Sequence, residues 1–149
     1  MPPVTYIVNV EAAIYQSDKY LMIVRGRGET ESPGELALPG GKVDIVGTLD
    51  RILEETLQRE VREEVNVEIE PGLHYVESKT FLMNTGYPVV DIVFLCRYKS
   101  GEPEIRDAQE VESIRWMTAQ EILDLPEAPD WTRQSIRLAE ELRRQVKYN

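Results

Sequence analysis

The sequence predicts an α/β fold in which a mixed β-sheet is flanked by helices, and three observations support this prediction. Short runs rich in Val, Ile, Tyr and Phe, which favour strands, recur between residues 4 and 116. Helical spacing of apolar residues replaces that pattern over residues 50–65 and again over residues 131–146. No repeat, low-complexity tract or shift in composition marks a linker, so residues 1–149 are expected to form a single domain.

The chain opens with a predicted hairpin followed by a loop. Residues 4–15 and 20–24 are strand-like, and the Gln-Ser-Asp between them favours a turn, so the two strands are expected to pair. Residues 26–34 contain three glycines and a proline, which indicates an exposed loop at the rim of a site.

A turn and a helix are predicted next. After the strand-like residues 36–38, the Pro-Gly-Gly at residues 39–41 is expected to form a tight turn, because proline ends a strand ladder and glycine permits unusual backbone geometry. The helix over residues 50–65 has Asp50 as its predicted N-cap, and Asn66 suits a left-handed helix end.

The remainder predicts three more strands and two helices. Thr118 and Glu121 match a capping box, which starts a short helix that ends at Leu125 because Pro126 follows it. The last helix, at residues 131–146, is amphipathic, with an apolar stripe of Leu138, Ala139, Leu142 and Val146. The strands are expected at residues 74–83, 89–98 and 111–116.

The chain is acidic, because 17 Lys and Arg residues are outnumbered by 27 Asp and Glu residues, for a net charge of −10. Such a surface repels nucleic-acid backbones, so no nucleic-acid scaffold role is expected. A phosphate-bearing ligand would have to be neutralised locally, by a metal ion or a few cationic side chains. Cys96, the single cysteine, lies in an apolar run and is interpreted as a buried thiol. No basic leader or long apolar stretch is present, which predicts no membrane span and a cytoplasmic location.

Three glutamates break the amphipathic pattern of the first helix. On a helical wheel, Leu57 and Val61 form the apolar stripe. Glu60 and Glu64 fall at the edge of that stripe and within it, and Glu63 lies beside them. Close carboxylates repel one another and are costly to bury unless a cation is present, and hard oxygen donors favour Mg²⁺ or Mn²⁺ over zinc. The alternative is a solvated acidic face balanced by arginines of the same helix.

Two segments around this helix resemble the Nudix box, which reads G-x5-E-x7-R-E-U-x-E-E-x-G-U, where U is a bulky aliphatic residue. The first segment is LPGGKV at residues 38–43, in which Gly41 matches the opening glycine. The second is REVREEVNV at residues 59–67, with Asn66 in place of the family's glycine. The resemblance implies the α/β/α sandwich fold of the Nudix hydrolases.

The match departs from the box in its spacing and at its first glutamate. The opening glycine and the box arginine, Arg59, are 59 − 41 = 18 positions apart, whereas the family spacing is fourteen, so four residues are inserted. Arg51 or Gly47 then stands in place of the first glutamate, depending on the direction of alignment. In the family that glutamate helps to orient the box arginine, and Asp44 and Asp50 are the candidates to replace it.

The resemblance implies a pyrophosphatase activity on a nucleoside diphosphate linked to another moiety, a class that includes nucleoside triphosphates and nucleotide sugars such as ADP-ribose. Glu60, Glu63 and Glu64 are expected to hold Mg²⁺ or Mn²⁺, and Glu63 or Glu64 also to act as the base. Arg59, the box arginine, completes the catalytic set. The expected partner is a small-molecule nucleotide, and members of the family often pair, which makes a homodimer an expectation to test.

Outside the box, the residues expected to contact substrate are Gly40, Gly41, Arg25, Arg27 and Glu112. Glu112 and the neighbouring Glu110 lie where family members often place a further carboxylate, although an ordinary edge-strand charge is the alternative. The two arginines could meet phosphate, the alternative being loop arginines that meet only water. The aromatic residues that could stack on a base are Tyr75, Phe81, Tyr87 and Trp131.

A non-catalytic nucleotide-sensing or interaction module on the same fold is the competing hypothesis. The insertion and the missing first glutamate motivate it. The intact carboxylate triplet argues against it.

Overall fold

The computed structural model describes residues 2–44, 47 and 49–146. These residues contain eight strands and three helices. The strands are β1 (Ile7–Gln16), β2 (Lys19–Arg25), β3 (Leu36–Ala37), β4 (Gly40–Lys42), β5 (Glu68–Ile69), β6 (His74–Leu82), β7 (Pro88–Ser100) and β8 (Val111–Thr118). The helices are α1 (Ile52–Val65), α2 (Ala119–Asp124) and α3 (Asp130–Gln145). In this part of the chain, no helix is long and apolar enough to cross a membrane.

The strands form one connected mixed sheet. Its centre is the parallel pair of β1 and β7, in which Ile7 lies opposite Val89 and Tyr15 opposite Arg97. β2 and β4 pair antiparallel with β1, and β5 and β6 pair antiparallel with β7. β3 and β8 extend the sheet by pairing antiparallel with β2.

Helices cover both faces of this sheet. Alternate residues of β1 point to opposite faces, so they pack against different helices. The even-numbered core residues of β1 pack in one cluster with Leu57 and Val61 of α1. Ala13 and Tyr15 pack in the other cluster with Ile136 of α3. The predicted α/β class and the helix–sheet–helix sandwich are therefore confirmed.

The predicted strands are confirmed with shifted boundaries. β1 begins at Ile7 rather than at residue 4, and β2 extends to Arg25. β7 continues to Ser100, and β8 continues to Thr118. β5 was not predicted, because its two residues are too few to show a periodic pattern.

The prediction of a tight turn at residues 39–41 is wrong, because Gly40 and Gly41 belong to β4. This strand pairs antiparallel with β1, so that Gly40 lies opposite Glu11 and Gly41 opposite Val10. A Cβ atom on Gly40 would lie 2.1 Å from the carbonyl oxygen of Val10, closer than non-bonded atoms can approach. The absence of a side chain at Gly40 therefore lets β4 and β1 approach each other closely.

Helix α1 ends as predicted but begins differently. Arg51 rather than Asp50 occupies the N-cap position, in a left-handed conformation with φ 57°, and no side chain caps the helix. The prediction of Asp50 as the N-cap is therefore wrong. At the other end Asn66 is left-handed, with φ 63°, and its backbone N–H donates to the carbonyl oxygen of Arg62 at 3.1 Å.

The C-terminal helices confirm the capping box and revise the apolar stripe. The backbone N–H of Glu121 donates to the Thr118 hydroxyl at 3.2 Å, and the Thr118 N–H donates to the Glu121 carboxylate at 2.9 Å. In α3, of the predicted stripe only Ala139 is fully buried, because the helix turns a neighbouring ridge towards the sheet. The buried residues of that ridge are Thr132, Ser135, Ile136 and Ala139.

The predicted burial of Cys96 is confirmed, and this burial leads us to expect an unreactive thiol. The residue is 0% exposed, and burial raises the pKa of its thiol. Because the thiolate is the reactive form, we expect no labelling of the folded protein by an aromatic disulfide reagent at pH 8 and stoichiometric labelling after unfolding in guanidinium. Rapid labelling of the folded protein would contradict this expectation.

Candidate active site

Helix α1 presents two of its three box glutamates towards the sheet and one towards solvent. Only 22% of the Glu60 side chain is exposed, and Glu64 is half-buried. In contrast, 62% of the Glu63 side chain is exposed. The predicted inward orientation is therefore confirmed for Glu60 and Glu64 and wrong for Glu63, which lies about 120° from Leu57 around the helix.

The Glu64 carboxylate lies in a partly buried position with few positive charges or hydrogen-bond donors around it. The backbone N–H of Gly40 donates to Glu64 Oε1 at 3.1 Å. Burial raises the pKa of Glu64 to about 7, and the negative charges of Glu110 and Glu60 contribute to the increase. The Gly40 N–H and the positive charge of Arg25 oppose this shift without cancelling it. Among the described residues, no lysine or arginine forms an ion pair with this carboxylate.

Glu60 lies against the second glycine of β4. A Cβ atom on Gly41 would lie 2.4 Å from Glu60 Oε2, so the absence of a side chain makes room for the carboxylate. Burial raises the pKa of Glu60, while the guanidinium of Arg59 opposes the increase. Arg59 Nη2 donates to Glu60 Oε1 at 3.2 Å. Each glycine of β4 thus meets one inward glutamate of α1.

Arg59, the box arginine, contacts Asp44 where family members have the first glutamate of the box. Arg59 Nη2 also donates to Asp44 Oδ2 at 3.2 Å, whereas Asp50 is exposed and makes no ion pair with Arg59. Arg59 Nε lies 4.0 Å from Glu63 Oε1. Asp44 is therefore the carboxylate that orients Arg59, and Arg51 takes no part in this contact.

Of the two predicted phosphate-binding arginines, Arg25 lies nearer to the buried carboxylates. Its Nε donates to the carbonyl oxygen of Glu31 at 2.9 Å, and its Nη2 lies 3.8 Å from Glu29 Oε2. Its positive charge also acts on Glu64. Both contacts come from the loop that follows β2, so this loop fixes the guanidinium at the edge of the site.

Arg27 and Glu112, both predicted to contact substrate, contact one another. Arg27 Nε lies 3.3 Å from Glu112 Oε1, and their side chains are 79% and 44% exposed. Glu110 lies just before β8, and its charge reaches Glu64. The charge of Glu110 therefore acts on Glu64, whereas Arg27 and Glu112 form an exposed pair at the rim.

The four aromatic residues considered for base stacking are exposed, so none of them is a core residue. Tyr75, Phe81, Tyr87 and Trp131 are 58%, 45%, 60% and 52% exposed, respectively. Their rings are accessible to a ligand.

Two further acidic residues, on the central strands β1 and β7, were missed from the sequence. Asp91 is 0% exposed and accepts a hydrogen bond from Asn9 Nδ2 at 2.7 Å. Burial, and then the neighbouring carboxyl of Asp91, raise the pKa of Glu11 well above its usual range. Arg25 opposes this shift, as it does for Glu64, so one guanidinium influences both acids. The sequence did contain an indication of this pair, because Glu11 and Asp91 each interrupt an apolar strand, β1 and β7 respectively.

The acidic side chains are concentrated without forming a ready-made cage. Within residues 2–44, 47 and 49–146, no group of three His, Cys, Asp or Glu side chains is arranged to hold a metal ion. Glu60 and Glu64 converge on the two glycines of β4, and the exposed Glu63 is turned away from them.

Comparison with known proteins gives a consistent result. A family model described as the NUDIX domain matches residues 5–139. A MutT NUDIX hydrolase from Burkholderia pseudomallei has a similar structure, with a TM-score of 0.75 and 26% identity over 90% of this chain and 98% of that one. The MutT protein from Methanosarcina mazei Go1 is also similar, with a TM-score of 0.75 and 24% identity over 99% and 100% of the two chains.

Two other similar structures carry an ADP-ribose description. The NUDIX domain of Shewanella oneidensis NrtR, solved in complex with ADP ribose, has a TM-score of 0.69 and 22% identity over 95% of this chain and 90% of that one. An ADP-ribose pyrophosphatase from Streptococcus suis 89-1591 has a TM-score of 0.66 and 22% identity over 97% of both chains. No curated protein sequence matches the chain.

Proposed function

Because the chain belongs to the NUDIX family and is a Nudix pyrophosphohydrolase, we propose that it cleaves a phosphoanhydride bond in a nucleoside diphosphate linked to another moiety, with Mg²⁺ or Mn²⁺ as cofactor. The observation that carries this proposal is Glu64, a carboxylate held by Gly40 and lacking an ion-pair partner among the described residues. Such a group is costly in a folded protein unless a cation joins it. Substrate classes that fit are nucleoside triphosphates and nucleotide sugars such as ADP-ribose.

The residues present fit a divalent cation. Glu60, Glu63 and Glu64 supply only oxygen donors, as Mg²⁺ and Mn²⁺ prefer, and Gly41 leaves space beside the Glu60 carboxylate. Glu63 would join them by a change of side-chain rotamer, which its 62% exposure permits. When bound, such a cation would neutralise charge on the diphosphate and make a water molecule easier to deprotonate.

The remaining side chains have separate tasks in this proposal. Arg59, oriented by Asp44, holds Glu60 through its 3.2 Å hydrogen bond. Glu63 or Glu64 accepts the proton of the attacking water. Arg25 binds substrate phosphate from the loop after β2, while Gly40 acts through Glu64, because its N–H is already donated to that carboxylate.

A panel assay tests the proposal and separates it from the competing sensor hypothesis. The purified protein is incubated with nucleoside triphosphates and ADP-ribose, with Mg²⁺, with Mn²⁺ or with EDTA, and products are separated by chromatography. We expect cleavage of at least one substrate that EDTA abolishes and added metal restores. Tight nucleotide binding without any product in the presence of either metal would favour the sensor. Sedimentation velocity on the same sample tests the expected homodimer.

Substituting the two glycines of β4 should separate folding from turnover. Gly41→Ala places a Cβ atom 2.4 Å from the flexible Glu60 carboxylate, which must move, so we expect about a 10-fold loss of kcat/KM with little change in Tm. Gly40→Ala instead meets the main chain of Val10 at 2.1 Å, and overpacking of this kind should lower the free energy of unfolding by about 3 kcal/mol. Steady-state kinetics and thermal unfolding measure both effects. Unchanged turnover in Gly41→Ala would argue against a role for the Glu60 position.

A further inference from the structure

Asn66 makes contacts that its position at the end of helix α1 does not require. Its left-handed backbone and its N–H bond to Arg62 are geometries that glycine also adopts, and glycine is the usual residue at such a helix end. The left-handed turn therefore admits asparagine but does not require the contacts of its carboxamide.

That side chain is bound to the segment of residues 101–110, which connects β7 to β8. Asn66 Nδ2 donates to the carbonyl oxygen of Glu102 at 3.1 Å and lies 3.5 Å from Glu104 Oε2. Asn66 Oδ1 accepts a hydrogen bond from Arg106 Nη2. The main chain adds one hydrogen bond, in which the Glu104 N–H donates to the carbonyl oxygen of Val65 at 3.0 Å. One carboxamide thus uses both its donor and its acceptor to hold the first half of the segment.

The second half of the segment ends beside Gly26, which follows Arg25 at the edge of the candidate active site. Asp107 organises a turn in which its Oδ1 accepts from Gln109 N–H at 2.9 Å and its carbonyl oxygen accepts from Glu110 N–H at 3.1 Å. The carbonyl oxygen of Glu110 accepts from Gly26 N–H at 2.8 Å. This turn begins one residue after Arg106, so the position of Glu110 depends on the contacts that precede it.

Main-chain hydrogen bonds hold the segment at Glu104 and Glu110, and the Tyr98 hydroxyl donates to the carbonyl oxygen of Gly101. Nine of its ten residues are exposed, and it contains no regular strand or helix. An exposed segment of this kind keeps one conformation only where specific hydrogen bonds hold it. Asn66 supplies such bonds at Glu102, Glu104 and Arg106.

We propose that Asn66 is a positioning residue, whose carboxamide fixes the segment of residues 101–110 and thereby holds Glu110 against Gly26, at the edge of the candidate active site. The inference rests on the proposed function, in which Glu64 is a metal ligand. It also gives a physical reason for the one residue at which the second half of the box departs from the family. Glycine would end the helix equally well but would leave the segment unattached.

Asn66→Gly is the decisive variant, because it keeps the left-handed backbone and removes only the side-chain contacts. Hydrogen–deuterium exchange should become faster in peptides covering residues 101–110 and stay unchanged in those covering β1. Mn²⁺ affinity, measured by electron paramagnetic resonance on the folded protein, should weaken about 10-fold, because the negative charge of Glu110, which acts on Glu64, is then no longer held at the edge of the site. The value of kcat/KM should fall by a similar factor.

A second variant approaches the same contact from the segment. Arg106→Gln should reproduce the exchange and Mn²⁺ effects in part, and combining it with Asn66→Gly should add less than the sum of the two effects, because both remove one contact. Glu102→Ala is the matched control, since Asn66 binds the main-chain carbonyl of Glu102 and that bond is retained.

The outcomes for this inference and for the proposed function are distinct. Unchanged exchange over residues 101–110 in Asn66→Gly, or unchanged Mn²⁺ affinity, would overturn the positioning role. A wild-type protein that cleaves no nucleotide with either metal would overturn the proposed function, while the exchange experiment would still decide whether Asn66 holds the segment.

Discussion

Replacing Glu64 with glutamine is expected to reduce kcat about 10³-fold while leaving the fold intact, the scale seen when one central polar group of an active site is removed. Glutamine keeps the size of the side chain and can still accept the hydrogen bond from Gly40 N–H. It removes the negative charge that a cation needs and the ability to take up a proton. Steady-state kinetics with Mg²⁺ and with Mn²⁺ measure the loss.

The same variant should be more stable than the wild type in EDTA at alkaline pH. The folded-state pKa of Glu64, about 7, lies above the ordinary value of 4.5, so the folded protein retains a proton that the unfolded chain releases. The stability contributed by this proton is complete below pH 4.5 and is lost as the pH rises through about 7. Because the glutamine side chain is neutral at every pH, we expect an advantage of about 3 kcal/mol at pH 8 that disappears near pH 4.5.

Chemical unfolding of both proteins in EDTA at several pH values tests this expectation. A variant that equals the wild type in stability at pH 8 would show that the carboxylate is well solvated. A variant that keeps wild-type kcat would show that Glu64 neither holds metal nor moves a proton.

Replacing Glu63 with glutamine is expected to reduce kcat about 10²-fold with almost no change in stability. This side chain is 62% exposed, and its nearest charged partner is Arg59 at 4.0 Å, so the folded protein gains little from its charge. A large kinetic effect from so exposed a residue would separate a functional carboxylate from a solvated acidic face. Kinetics and thermal unfolding, measured together, give both quantities.

Metal affinity distinguishes the two tasks open to Glu63. If it is a ligand, Glu63→Gln should weaken Mn²⁺ binding along with kcat, and if it is the base, Mn²⁺ affinity should stay near the wild-type value. Glu55→Gln is the matched control, because Glu55 is an exposed glutamate in the first turn of the same helix and lies outside the metal-binding triplet. Equal kinetics in Glu63→Gln and Glu55→Gln would refute the assigned role.

The box residues could be predicted well from the sequence because their geometry is local. A helix places residues about 100° apart, so the burial of Leu57 and Val61 and the inward lean of Glu60 and Glu64 follow from spacing alone. The same rule placed Glu63 beside them but about 120° from Leu57, and whether a side chain there is covered depends on the neighbouring elements. No described element covers Glu63, and it is exposed.

Contacts between distant segments were the part that the sequence could not supply. Asp44 and Asp50 were equivalent candidates for Arg59, and only the position of β4 against α1 selected Asp44. Gly40 and Gly41 look like a turn by composition, yet the approach of β1 makes them a strand.

The sequence by itself determined the α/β class, the glutamate-bearing helix and the family resemblance, because periodicity and a short motif are written in neighbouring residues. The tertiary structure decided which charges meet, since Glu11 with Asp91, Arg59 with Asp44 and Asn66 with Arg106 come from segments far apart in the chain. The physical reason is that burial and Coulomb interactions depend on distance in space, and chain folding alone sets that distance.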